Sequence, residues 1–169
     1  MTLQEFQFFN TGFEVLGSGL LAAGIAQTLK VIFHYIKNKK INFKIFTTTG
    51  GMPSSHSAGV IALATSVGIV CGIASVDFAI SLGFSLIIMQ DAAGLRRAAG
   101  KTAATLNRVV QEFVEHHETK PYEVLKELLG HTPFEVFCGA ALGVVVAFFV
   151  HSLDKIEAVH KLLALISSF

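Results

Sequence analysis

From Val136 to Leu153 the chain carries no Asp, Glu, Lys or Arg. Three other stretches share this character. Val15–Ile36 is interrupted by Lys30 alone, Ser57–Val76 has no charge at all, and the shorter Phe78–Gln90 is framed by Asp77 and Asp91. A helix crossing about 30 Å of hydrocarbon needs roughly 20 apolar residues, and in lipid a helix satisfies its backbone polar groups internally. Only 15% of the 169 residues are charged and 52% are apolar, against about 25% charged in soluble domains. That balance excludes intrinsic disorder and leaves too little polar surface for a free globule. The chain reads as an all-α, polytopic membrane helix bundle of about four spanning helices plus an amphipathic helical insert. It forms one integral membrane domain over residues 1–169.

Small residues suit that architecture. Gly59, Ala62, Ser66, Gly68 and Gly72 in the second stretch, with Gly139, Ala140 and Gly143 in the fourth, let helix backbones approach closely in lipid. The first stretch is too long and too far inside the chain for a cleaved signal peptide. A polar insert, about 94–130, separates the third stretch from the fourth. Its helix, expected over Ala98 to His117, places Ala103, Leu106, Val110, Phe113 and Val114 on one face, which should pack on the bundle or at the membrane interface. Cys71 and Cys138 lie in apolar runs and read as small buried hydrophobes, not as a disulfide framework or zinc site.

If all four stretches cross, Lys37, Lys39, Lys40, Lys44, Arg96, Arg97, Lys101, Arg108, Lys120 and Lys126 share one face. Only Lys155 and Lys161 hold the other. The positive-inside rule makes the crowded face cytoplasmic, in what reads as a bacterial inner membrane. The net charge of +1 gives no field for gripping nucleic acid, so the partners expected are membrane lipids. Short helices with small-residue faces leave room for a homo-oligomer.

Three polar features gather on the cationic face. The run Thr47-Thr48-Thr49-Gly50-Gly51-Met52-Pro53-Ser54-Ser55-His56-Ser57 precedes the second helix. Its glycines allow a bend and its serines can cap a helix start, whose exposed N–H groups suit a phosphate. His56 would stand beside that anion as a proton donor. Gly130-His131-Thr132-Pro133-Phe134-Glu135 opens the fourth helix, with His131 and Glu135 four apart on one face. A carboxylate that accepts the proton of one ring nitrogen leaves the other nitrogen's lone pair free to attack. Asp91-Ala92-Ala93-Gly94-Leu95-Arg96-Arg97 then brings an acid and two guanidinium groups, with Lys101 following. Asp91 can pair with Lys30, Arg96 or Arg97, leaving a planar fork for phosphate, and the Lys30 ammonium can snorkel to the same side. Together these residues fit phosphoryl transfer in which one His attacks phosphorus, the other protonates the leaving oxygen, and cations neutralise the phosphoryl oxygens. No ligand set calls for a metal or cofactor.

Pro53-Ser54-Ser55-His56 and His131-Thr132-Pro133-Phe134-Glu135 resemble two motifs of the type 2 phosphatidic acid phosphatase superfamily, which includes vanadium haloperoxidases. The longer strings Gly-Gly-Met-Pro-Ser-Ser-His-Ser-Ala, Asp-Ala-Ala-Gly-Leu-Arg-Arg and Leu-Gly-His-Thr-Pro-Phe-Glu-Val are similar to its divergent branch of small bacterial and plant membrane proteins. The resemblance spans roughly residues 20 to 150. It implies His131 as the nucleophile forming a phosphohistidine, Glu135 as its orienting partner and His56 as general acid. It also implies Ser54, the Ser55 backbone and Lys30 as phosphate ligands. The family's first-motif Arg-Pro is replaced here by Lys37-Asn38, and the Ser-Arg ahead of its third-motif His by Val124-Leu125. Arg96 and Arg97, with Lys101, are the expected substitutes for the absent arginines.

The function expected is hydrolysis of a lipid phosphate or isoprenoid (di)phosphate at the membrane surface, without metal. A non-catalytic anionic-lipid or phosphate binder and a phosphotransferase are the competing readings. His34, His116, His117, His151 and His160 are expected at interfaces or on solvated faces, and the phenylalanines in lipid or core.

Overall fold

The computed structural model describes residues 7–39, 51–117, 125 and 131–167; side chains at 37, 95–97, 115–117 and 157–167 lie outside the description. The described chain is helical: α1 (Gly12–Asn38), α2 (Ser55–Cys71), α3 (Val76–Gln90), α4 (Arg96–His117) and α5 (Pro133–Ser167). It is an all-α membrane helix bundle. Among the described residues, three helices are long and apolar enough to cross a membrane, over Gly12–Ile36, Val76–Val114 and Pro133–Ile156.

Two boundaries differ from those read in the sequence. The second apolar stretch does not continue to Val76; α2 stops at Cys71, where Gly72 adopts φ 88°, a turn that glycine makes without steric cost. At 17 residues, α2 is roughly 25 Å long and lies centrally, packed against α1, α3 and α5. The third stretch does not end at Asp91. Helix α3 passes through one π-helical turn, Asp91–Leu95, directly into α4. A wide turn of this kind adds a residue without breaking the helix, and so hides the boundary that Asp91 suggested.

Helices α2 and α5 start at the same end of the bundle, and α1 runs the opposite way. The core between them is mostly alanine and valine: Ala22, Ala26, Ala58, Ala62, Val146, Ala147 and Val150. Such short side chains bring backbones into near contact. A Cβ at Gly139 would collide with the carbonyl oxygen of Ser54, and one at Gly143 with that of Ala58. Helix α5 therefore lies hard against the first turns of α2, and that contact sets the two helix starts side by side.

On the apolar face of the insert helix, Leu106 and Phe113 are exposed while Ala103, Val110 and Val114 are half-buried, and the helix joins the bundle through the π turn. Cys71 is exposed and Cys138 half-buried, both as free thiols. They are not the buried hydrophobes expected, because the tight α1–α2–α5 core admits little beyond alanine, glycine, serine and valine.

Candidate functional site

The starts of α2 and α5 meet at one end of the bundle. Ser54 caps α2: its Oγ accepts from the Ser57 N–H at 3.4 Å and from the Ser57 hydroxyl at 3.0 Å. Its own N–H donates to the carbonyl of Glu135 at 3.1 Å. Ser54 is 0% exposed, so the hydroxyl expected on a phosphate serves instead to hold the helix start. Ser55 is half-buried and His56 exposed at the surface of the next positions.

Helix α5 opens with a capping box. The Glu135 N–H donates to Thr132 Oγ1 at 3.3 Å, and the Thr132 N–H donates to Glu135 Oε2 at 3.0 Å. The same Oε2 lies 3.2 Å from His131 Nδ1. A carboxylate only accepts, so Nδ1 carries the hydrogen and Nε2 keeps its lone pair. Nothing among the described residues bonds Nε2. The imidazole is 3% exposed and sits two residues ahead of the spanning part of α5. Its pKa lies below the ordinary 6.5, first because burial penalises the charged ring. The Glu135 hydrogen bond raises it, Lys30 lowers it, the Glu135 charge raises it and His56 lowers it. At neutral pH the ring is uncharged, held by Glu135 and within the field of both Lys30 and His56.

Lys30 does not snorkel to water. It is 4% exposed, its Nζ donates to Gln27 Oε1 at 3.2 Å, and its stem packs where a Cβ on Gly51 would fall, 3.2 Å from Cγ. Gly51 takes φ 91°, so a side chain there would be both strained and crowded. Lys30 is bonded to Gln27 and not, among the described residues, to Asp91. Asp91 is half-buried in the π turn, which touches α5. The side chains of Arg96 and Arg97 lie outside the described residues, as do residues 47–50, Lys40, Lys44, Lys120, Val124 and Lys126. Lys101 is exposed on α4. Among the described residues no group of three or more His, Cys, Asp and Glu is placed to hold a metal.

Several polar residues were not found by reading the sequence. Gln27 has only its position, three before Lys30, to mark it. At the opposite end of the bundle, Glu14 is 0% exposed; its Oε1 lies 2.9 Å from His151 Nδ1 and its Oε2 accepts from the Asn10 N–H at 2.6 Å. The Asn10 amide donates to Asp154 at 2.9 Å. His151 is thus not on a solvated face, because a buried carboxylate on α1 requires a partner there. One turn beyond Glu14, the buried Ser18 hydroxyl has no partner among the described residues.

Comparison with known proteins bears on this arrangement. The model of the divergent PAP2 family matches residues 12–146, a range that contains both helix starts. The chain is 42% identical over 145 residues to the uncharacterized membrane protein YuiD of Bacillus subtilis (strain 168), covering 80% of this chain and 91% of that protein. No solved structure matches significantly.

Proposed function

The chain belongs to the divergent PAP2 family, and on that premise we propose that it is a membrane phosphatase acting on a lipid phosphate or isoprenoid (di)phosphate. The observation that carries this reading is the buried imidazole of His131, held at Nδ1 by Glu135 at 3.2 Å where the starts of α2 and α5 meet. His131 Nε2 attacks phosphorus while the bond to the ester oxygen breaks, and His56 delivers a proton to that oxygen. Water then attacks the phosphohistidine, giving its proton to His56, and inorganic phosphate leaves with His131 restored. Lys30 balances charge on the phosphoryl oxygens; Arg96, Arg97 and Lys101 take the same role at the mouth, and the Ser55 backbone at the α2 start contributes N–H groups. Ser54 and Asp91 are supporting residues, and no metal or cofactor takes part. The site faces the cytoplasm of a bacterial inner membrane in this reading.

The test is phosphate release from lipid phosphates by the purified protein in detergent or vesicles. His131→Ala should lower turnover at least roughly 10³-fold, and His56→Ala by about 10²–10⁴-fold. Full turnover in either variant contradicts its assigned role. One observation favours the non-catalytic binder: at the family's arginine position, Leu125 is tied by both backbone groups to Asn107 of α4, at 2.9 Å each. Lipid binding that survives His131→Ala, with no phosphate released from any substrate, would select that reading.

A further inference from the structure

Helices α1 and α2 cross closely near Gly19 and Gly59. A Cβ on Gly59 would lie 3.3 Å from both Ala23 Cβ and the Gly19 carbonyl oxygen. Outside this crossing the two helices leave a groove of about 310 Å³, within the size range of small-ligand sites. Leu16, Leu20, Val60 and Leu63 wall it. Leu16 and Leu20 are 54% and 66% exposed, so in a membrane the groove opens sideways to lipid. Its upper end is different, for Ser55 and His56 line it there. His56 is also one of the charges that act on His131. The residue ahead of Ser55 and His56, Ser54, donates its N–H to the Glu135 carbonyl at 3.1 Å, so the groove begins at the candidate site. From there it descends over eight positions of each helix, roughly 12 Å, close to half of a hydrocarbon layer about 30 Å thick.

We infer that this groove seats one long hydrocarbon chain of the phosphate ester, entering laterally from the leaflet that borders the site, with the phosphate at His56 and His131. The inference rests on the phosphate-ester reading of that site and adds the rest of the substrate: a lipid with a hydrocarbon chain continuous with its phosphate end. Two features argue for such an occupant. The polar mouth is continuous with the His131 end, and the walls below it are aliphatic with no charged side chain. Glycine at positions 19 and 59 keeps the floor open, since any larger residue would fill it or part the helices.

The experiment is photo-crosslinking in zwitterionic vesicles, with phosphatidic acid carrying a diazirine midway along one acyl chain. A diacylglycerol with the same diazirine serves as the neutral comparison, and labelled residues are mapped by peptide mass spectrometry. The phosphate probe should label Leu16, Leu20, Val60 and Leu63 severalfold more than the neutral probe does. Leu20→Trp, at a lipid-facing position, should cut that labelling roughly tenfold, whereas Phe84→Trp on the exposed side of α3 should leave it unchanged. Equal labelling by both probes makes the groove an ordinary bilayer contact and overturns the inference. Absence of label from the groove, as when a second copy of the chain fills it, also overturns it. Labelling is read independently of turnover. If His131→Ala keeps full activity while the groove is still labelled by the phosphate probe, the chemistry is misassigned and the chain site stands.

Discussion

Each end of the bundle holds a histidine against a glutamate, yet the two pairs are built in opposite ways. His131 and Glu135 are neighbours on one helix turn, 3.2 Å apart, and Glu135 is itself fixed by the Thr132 capping box. His151 and Glu14 come from different helices, 137 positions apart in sequence, and meet at 2.9 Å. At the first end the pair lies beside two helix starts, with Lys30 and His56 acting on the His131 ring. At the second end each carboxylate oxygen has one partner, His151 or Asn10, and the neighbouring charge is another acid, Asp154. A local pair costs little to assemble, and its ring is buried beside the two helix starts. A tertiary pair ties α1 to α5. In the proposed reading the same two residue types make a reactive group in one place and a strut in the other.

That contrast breaks most visibly in paired alanine variants. His131→Ala should abolish phosphate release, by roughly 10³-fold or more, with little change in thermal midpoint. His151→Ala should do the reverse, keeping turnover within about threefold while lowering the midpoint by several degrees, as a ΔΔG of about 1 kcal/mol does in a domain of this size. Turnover assays and thermal unfolding in the same detergent check both. If the two variants lose activity equally, the ends are not separable. Glu14→Leu is expected to act on stability alone, since it removes a buried carboxylate and strands the Asn10 N–H and His151 Nδ1. It should destabilise by about 1–3 kcal/mol, measured by unfolding, and leave the Michaelis constant alone.

The finest discrimination lies in pH dependence. The His131 pKa is held below 6.5, so the unprotonated nucleophile persists on acidification and the acidic limb of kcat/KM should lie below that value. Glu135 raises this pKa, and Glu135→Gln should therefore move the limb to still lower pH. Lys30 lowers it, so Lys30→Met should move the limb upward. Both variants also lose turnover, but the opposite displacements of the limb are what a merely structural role would not produce. A limb that stays fixed in both variants removes His131 from the rate equation.

Much of this architecture is legible in the sequence, because periodic apolar runs and small residues report directly on spans and close packing. Ser54, His56, His131 and Glu135 stand out for the same reason: glycine, proline and serine mark helix starts, and an i, i+4 spacing is a local geometry. The capping box is equally local, as Thr-x-x-Glu, and one carboxylate serves both uses, since Glu135 holds the helix start and the His131 ring. Glu14 and His151 could not be paired from sequence, since their contact is made by the antiparallel course of α1 and α5. Nor did composition reveal the π turn at Asp91, where an acidic residue that looks like a span boundary lies inside a continuous helix. Lys30 was visible as an isolated charge in a span, but its burial beneath Gly51 and its bond to Gln27 depend on the fold of the segment before α2.

The most direct measurement of the central claim is a rapid acid-free quench of the His56→Ala variant with a phosphorus-labelled lipid phosphate, followed by mapping of the label. Proton delivery and water activation are slowed there while the His131 nucleophile remains. The account predicts a base-stable, acid-labile phosphoryl group on His131, absent from His56→Ala combined with His131→Ala. Label on any other residue, or phosphate released with no label on His131 at any time, would contradict it.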